Sequence, residues 1–237
     1  MSPRSATTSA TGRRRLATLP VVVAVLAGTA LAGCDSARHR PDNAAPTHAP
    51  ATATSTGTAA LSAALLTTAE LPAGYVKTVL RDDPPTRSDR PGCLTALNSL
   101  ESSRGSHPGA VEARVTFAMS QSGPFLQQVL RRLPGSGAQQ ELKQATSVLS
   151  GCPEFAIGWS DGTTGTERVV PHGSAGIGNA SWHATVTATT GTFTVEETLV
   201  LVVVGRTLLV ISDAGSPTAP ERSRTLALAR TAASRIV

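Results

Sequence analysis

Aromatic residues are nearly missing from this chain, with two Trp, one Tyr and four Phe in 237 residues. Single-stranded nucleic acid is gripped on stacked rings, so that class of partner is excluded. A usable basic excess is missing too. The formal charge is +5, but Arg4, Arg13, Arg14 and Arg15 all precede Cys34 and no acidic residue does. From Cys34 onward the balance is +1, too little to displace counterions from a phosphate backbone, and no nucleic-acid partner is expected. Cysteine is scarce, at three residues with no CxxC, which excludes a structural zinc site of four short-spaced ligands. An apolar run long enough to cross a bilayer is also lacking. The stretch Leu16 to Leu31 covers about 16 residues, against the roughly 20 that span a hydrocarbon core.

That stretch ends in Leu31-Ala32-Gly33-Cys34. A basic start, an apolar run and small residues at a boundary make residues 1–33 a signal peptide, with the positive flank left in the cytoplasm. The four residues resemble the lipobox of bacterial lipoproteins. The resemblance implies that the Cys34 thiol is diacylated, with palmitate-like chains, and becomes the first residue of the mature protein. Two buried chains at about 0.8 kcal/mol per CH₂ anchor stably where one would not. The expected location is the outer face of the cell membrane. An ordinary secreted protein with an unrelated cysteine is the alternative. Arg13-Arg14-Arg15-Leu16 leaves Sec and twin-arginine export both open.

Residues 34–59 are rich in Ala, Pro, Thr and Ser and hold few large apolar side chains, so a disordered tether is expected, with His39 and His48 solvated in it. Residues 60–237 suit a single domain, expected to be monomeric. With Cys34 acylated, Cys93 and Cys152 form an even pair in an oxidising compartment and are expected to be disulfide-bonded.

Within the domain, Leu61, Ala64 and Leu65 have helical spacing before Pro72 and Gly74. A strand is expected at Tyr75 to Leu80, an exposed loop at 82–92 and a short helix from Cys93 to Ser102. Val111, Ala113, Val115 and Phe117 alternate with polar residues as in a half-buried strand. Helices are expected at Phe125 to Leu133 and at Ala138 to Leu149, separated by Pro134-Gly135-Ser136-Gly137. Strands follow at Glu167 to Val170, Ser181 to Thr190, Thr192 to Val204 and Thr207 to Ser212, the last two joined through Gly205-Arg206 in a tight hairpin. Leu199 to Val204 and Leu208 to Ile211 are apolar without alternation, as in strands covered on both faces. A helix from about Pro220 to Ile236 can cover one face. The fold class is α+β: a twisted, mainly antiparallel sheet of about five to six strands, flanked by helices, with one disulfide.

Catalytic patterns are weak. Gly158-Trp159-Ser160-Asp161-Gly162 matches G-x-S-x-G, but a nucleophile elbow needs a strand before it and a helix after it, and Gly162 to Gly165 is a turn leading to a strand. Gly173-Ser174-Ala175-Gly176-Ile177-Gly178 lacks both the phosphate-loop spacing and a following helix. His172 and His183 have no third metal ligand in register. Glu196 and Glu197 are adjacent in a strand, hence on opposite faces, and cannot pair with each other as acid and base. No catalytic residue, metal or cofactor is expected.

Leu65-Leu66-Thr67-Thr68-Ala69-Glu70-Leu71-Pro72-Ala73-Gly74-Tyr75, the two cysteine positions, Gly176-Ile177-Gly178-Asn179-Ala180 and the Leu201 to Leu209 hairpin together resemble the extracellular sensor domain of PknH-type receptor kinases and related actinobacterial lipoproteins. The resemblance covers most of 60–237. It implies an antiparallel sheet flanked by helices with a ligand-binding cleft. Here there is one cysteine pair where that kinase domain has two, and no kinase segment. The implied function is a membrane-tethered ligand-binding or sensor-like module without catalysis, its partner a small molecule, a lipid or an envelope protein. A structural or protein-interaction lipoprotein is the alternative, and a serine hydrolase using Ser160 a weaker one.

Overall fold

The backbone from Leu199 to Val203 is closed to solvent at every side chain, and these residues lie in the middle of a wide antiparallel sheet. The computed structural model describes residues 52–80, 83–101 and 109–236, and the expectations for 1–33, Cys34 and most of the tether lie outside them. Helix α1 (Thr52–Ala63) is followed by a 3-10 turn at Thr68–Glu70, then by β1 (Val76–Thr78), β2 (Arg87–Ser88) and α2 (Pro91–Glu101). Next come β3 (Val111–Ala118), β4 (Phe125–Arg132), α3 (Gly137–Leu149), β5 (Glu154–Gly158) and β6 (Thr164–Gly173). The chain ends through β7 (Ala180–Thr190), β8 (Phe193–Val204), β9 (Thr207–Gly215) and α4 (Arg222–Ala233). The strands lie in the order β1-β3-β4-β9-β8-β7-β6-β5-β2, and each neighbouring pair is antiparallel.

Strand parity sorts the core into two layers. On one face α2 and α3 bury Leu97, Leu100, Leu142 and Leu149 against Val129, Trp182, Leu201 and Val210. On the other, α1 and α4 bury Leu61, Leu228, Ala229 and Ile236 against Leu130, Val200, Leu209 and Ile211. Small side chains at Ala229 and Ala232 are fully buried, which lets α4 lie close over β8 and β9. The loop before β7 crosses the β8 end at one forced glycine. Gly178 has φ +64°, and a Cβ there would stand 2.5 Å from the Val203 carbonyl.

Three expectations are corrected. The sheet has nine strands rather than five to six, because β2 and β5 were not foreseen and Phe125–Arg132 is a strand. The latter segment shows helical spacing at Leu126, Val129, Leu130 and Leu133, yet it lies between β3 and β9 and is buried on both faces. Gln128 and Arg131 are buried in it and interrupt the apolar run that would have marked a central strand. Gln128 Oε1 accepts the Leu66 amide at 2.7 Å, which satisfies its carbonyl, while its Nε2 has no hydrogen-bond partner. Residues 52–59, expected in the tether, belong to α1. Cys93 and Cys152 are bonded, with S–S 2.08 Å, joining the start of α2 to the chain just past α3.

Candidate functional site

Helix α2 ends over the sheet, held by two arginines. Arg131 on β4 donates through Nη2 to the Ser99 carbonyl at 3.2 Å, and Arg114 on β3 through Nη1 to the Glu101 carbonyl at 3.1 Å. Last-turn carbonyls have no partner within the helix and carry partial negative charge, which guanidinium groups satisfy. Arg131 is fully buried and also donates to Glu112 Oε2 at 3.0 Å and to Glu141 of α3. The carbonyl of Glu101 is thereby held against β3, and Glu101 lines the cleft.

Beside α2 a cleft of about 550 Å³ opens on the sheet. Its floor is built from the ends of β4, β9, β8, β7 and β6, and its walls from Leu97 and Asn98 of α2, the Pro84-Pro85 loop, and Val79 and Leu80 after β1. Asn98 Nδ2 donates to the Pro85 carbonyl at 2.9 Å and pins that loop to the helix. The lining is mainly apolar.

Three carboxyl groups from distant parts of the chain meet in it: Glu101, Glu167 and Glu197. Strand register brings two of them together. Glu167 on β6 is paired with Ala188 of β7, and Glu197 on β8 with Val186 of β7, so both point to the cleft face with β7 between them. Strands lie about 4.8 Å apart, so β6 and β8 are separated by roughly 10 Å, and the small Ala188 lets long side chains lean across. Glu101 comes down from α2. Burial first, then the charges of Glu197 and Glu167 and a hydrogen bond to Glu197, hold the Glu101 carboxyl well above the usual range. Burial pushes Glu167 up to about 7, and Glu197 is likewise raised to about 7, chiefly by burial and by facing Glu167. The cluster therefore retains protons near neutrality.

This has a consequence for stability. All three groups bind protons more tightly folded than unfolded, so the penalty grows as pH rises, and for Glu167 and Glu197 it is absent below about pH 4.5 and complete above about 7. Unfolding in urea is expected to show a fall of about 2 kcal/mol between pH 5 and 8, after discounting for partial exposure, and a shallower fall in Glu197→Gln. A flat profile in the unmodified domain would show that the three carboxyls are ordinary.

The residues singled out from the sequence fare differently. Cys34 lies outside the described residues. Ser160 sits in an exposed turn between β5 and β6, closed by the Trp159 amide donating to the Thr163 carbonyl at 2.9 Å, so the elbow has a strand where its helix should be. Trp159 packs partly under it and donates to the Asp83 carbonyl at 3.2 Å. The amides of Ala175 and Ile177 donate to Ser181 Oγ at 3.2 and 3.1 Å, so the glycine-rich loop turns these two inward. His172 and His183 do meet, with ring centres 5.3 Å apart on the α4 side. Each ring is taken up locally, His172 by Thr185 Oγ1 and His183 by the Gly173 carbonyl. Glu196 and Glu197 lie on opposite faces, as their adjacency requires. Glu101 and Glu167 were missed. A signal existed: Glu197 shares the inward parity of Leu199 and Leu201, and Glu167 that of Val169.

No protein-family model matches this sequence and no curated protein does. Among solved structures, the extracellular domain of PknH from Mycobacterium tuberculosis is similar at 12% identity and TM-score 0.56, over 76% of this chain and 95% of that one. At that identity the similarity is one of fold, and the described domain has the fold of that extracellular domain.

Proposed function

We propose that this protein is a lipid-anchored, extracytoplasmic binding module without catalysis, which offers the cleft beside α2 to a small molecule, a lipid or part of an envelope protein. Cys34 carries the anchor and the residues before α1 act as the spacer. The fold shared with an extracellular domain supports a place outside the membrane. Among the described residues no helix is long and apolar enough to span a bilayer. The observation that carries the binding role is the cleft itself, which at about 550 Å³ falls in the range of about 300–1,000 Å³ usual for ligand sites and combines apolar walls with a few converging polar groups.

Cys34→Ala is expected to move the protein from the membrane fraction to the soluble fraction and to abolish labelling by palmitate. Labelled palmitate on the variant would refute the anchor. For binding, native mass spectrometry of protein extracted from its own envelope is expected to show an added mass that Val195→Trp, which fills the mouth of the cleft, removes. The same added mass on both proteins would place the ligand elsewhere.

A further inference from the structure

We infer that the cleft takes an amphiphile with a cationic head: an apolar chain ending in a protonated amine, the head held among Glu101, Glu167 and Glu197 and the chain running toward the mouth. This rests on the binding-module reading and names the ligand class for the same cleft.

The first support is a pair of acceptors without donors. Glu167 Oε2 and Glu197 Oε1 are closed to solvent and have no hydrogen-bond partner, although both side chains line the cleft. A buried acceptor left unpaired is destabilising, and more so when charged. An ammonium group brings three N–H donors and the missing charge together.

The second support is that Arg114, a cation in the cleft lining, is engaged elsewhere. Arg114 on β3 directs Nε and Nη2 to Glu112 Oε1 at 3.2 and 2.6 Å, and Nη1 to a backbone carbonyl. Lys77 lines the cleft from the edge strand β1, where its side chain is exposed. Asp213, on the opposite face of β9, is paired with Arg224 at 2.9 Å and adds negative potential beneath Glu197. Among the described residues, no salt bridge joins Glu101, Glu167 or Glu197 to a cation.

The third support is the shape of the remaining surface. Val79, Leu80, Pro84, Phe125 and Val195 form an apolar path out of the cleft, and Val79 is 94% exposed where that path meets solvent. A chain of methylenes would cover these groups and remove apolar surface from water. An anionic head is disfavoured by like charge. A hard divalent cation needs oxygens converging at about 2.0–2.6 Å, and among the described residues no three His, Cys, Asp or Glu side chains are so placed. Ammonium accepts the looser spacing of about 2.8–3.0 Å along three directions.

The test is isothermal titration of the Cys34→Ala protein, which lacks acyl chains, with dodecylammonium below its micellar concentration, with dodecanoate, and with calcium alone. Dodecylammonium is expected to bind at least tenfold more tightly than dodecanoate at pH 7, and to release protons, seen as a heat that changes with the ionisation enthalpy of the buffer. Glu197→Gln is expected to weaken dodecylammonium at least fivefold and to leave dodecanoate unchanged or tighter. Equal affinity for the two amphiphiles, or binding of calcium with no preference for dodecylammonium, would overturn the cationic head while leaving the cleft a binding site. Binding of neither amphiphile would count against the binding-module reading itself. The comparison of the two amphiphiles needs no further variant, so it decides even if Glu197→Gln fails to fold.

Discussion

Replacing Cys93 and Cys152 together by alanine is expected to lower the unfolding free energy by about 4 kcal/mol and the melting temperature by roughly 8–16 °C. The bond closes a loop with a sequence separation of 59, and in the chain-entropy account a loop of that length restricts the unfolded chain by about that amount. Both half-cystines are buried, so packing is lost as well. The position of the bond says where the damage starts. It ties the β2–α2 junction to the α3–β5 junction, and β2 meets the sheet only through two residue pairs, Arg87 with Gly158 and Ser88 with Ile157. Hydrogen exchange is therefore expected to rise first in β2 and β5, then in α2, with β8 and β9 protected longest. A loss under about 1 kcal/mol, or exchange spread evenly over the sheet, would show that the bond is not what holds this edge.

Arg131→Met is expected to cost about 3–5 kcal/mol, because it removes one side of a buried charge network while leaving the rest. Arg131 reaches Glu112 of β3, Glu141 of α3 and the Ser99 carbonyl of α2, so one side chain ties both helices of that face to the sheet. Arg131→Lys is expected to fall between the two, since an ammonium cannot serve three directions as a guanidinium fork does. Combining Arg131→Met with Glu141→Leu should recover part of the loss, and the non-additivity measures the coupling. Equal stability of Arg131→Met and the unmodified domain would mean the network contributes nothing net. Because Ser99 and Glu101 share the last turn of α2, the variant should also loosen Glu101 and flatten the pH dependence of stability.

What could be seen in the sequence was whatever rested on local chemistry. The Cys93 and Cys152 pair, α2, α3, the alternation of β3 and the unbroken apolar runs of β8 and β9 all declare themselves within a few residues. Strand β4 did not. Its Leu126, Val129, Leu130 and Leu133 have the spacing of a helix face, and its two buried polar residues are explained only by Leu66 and by Glu112 and Glu141, which come from elsewhere in the chain. Strand β5 carries its alternation in Phe155 and Ile157 alone, too few positions to distinguish from loop. The carboxyl cluster was the least legible. Glu101, Glu167 and Glu197 belong to a helix and two strands, and only the register of β6 and β8 against β7 makes them neighbours. Adjacency drew notice to Glu196 and Glu197, whereas parity, with Glu197 in line with Leu199, singles out the one that matters.

The cleft lies on the face of the sheet that α2 and α3 cover at Val129, Leu201 and Val210, toward the parts of β6, β7, β8 and β9 that carry Glu167, Ala188, Val195 and Ala214. It keeps apolar groups such as Val195 beside charged ones, an arrangement that the proposed ligand would complete. The most direct measurement is an experimentally phased structure of the protein purified from its own envelope. The account predicts connected density in the cleft, with a donor atom within about 3 Å of Glu197 or Glu167. A cleft closed by its own side chains to less than about 300 Å³, with Glu167 and Glu197 paired to protein groups, would contradict it.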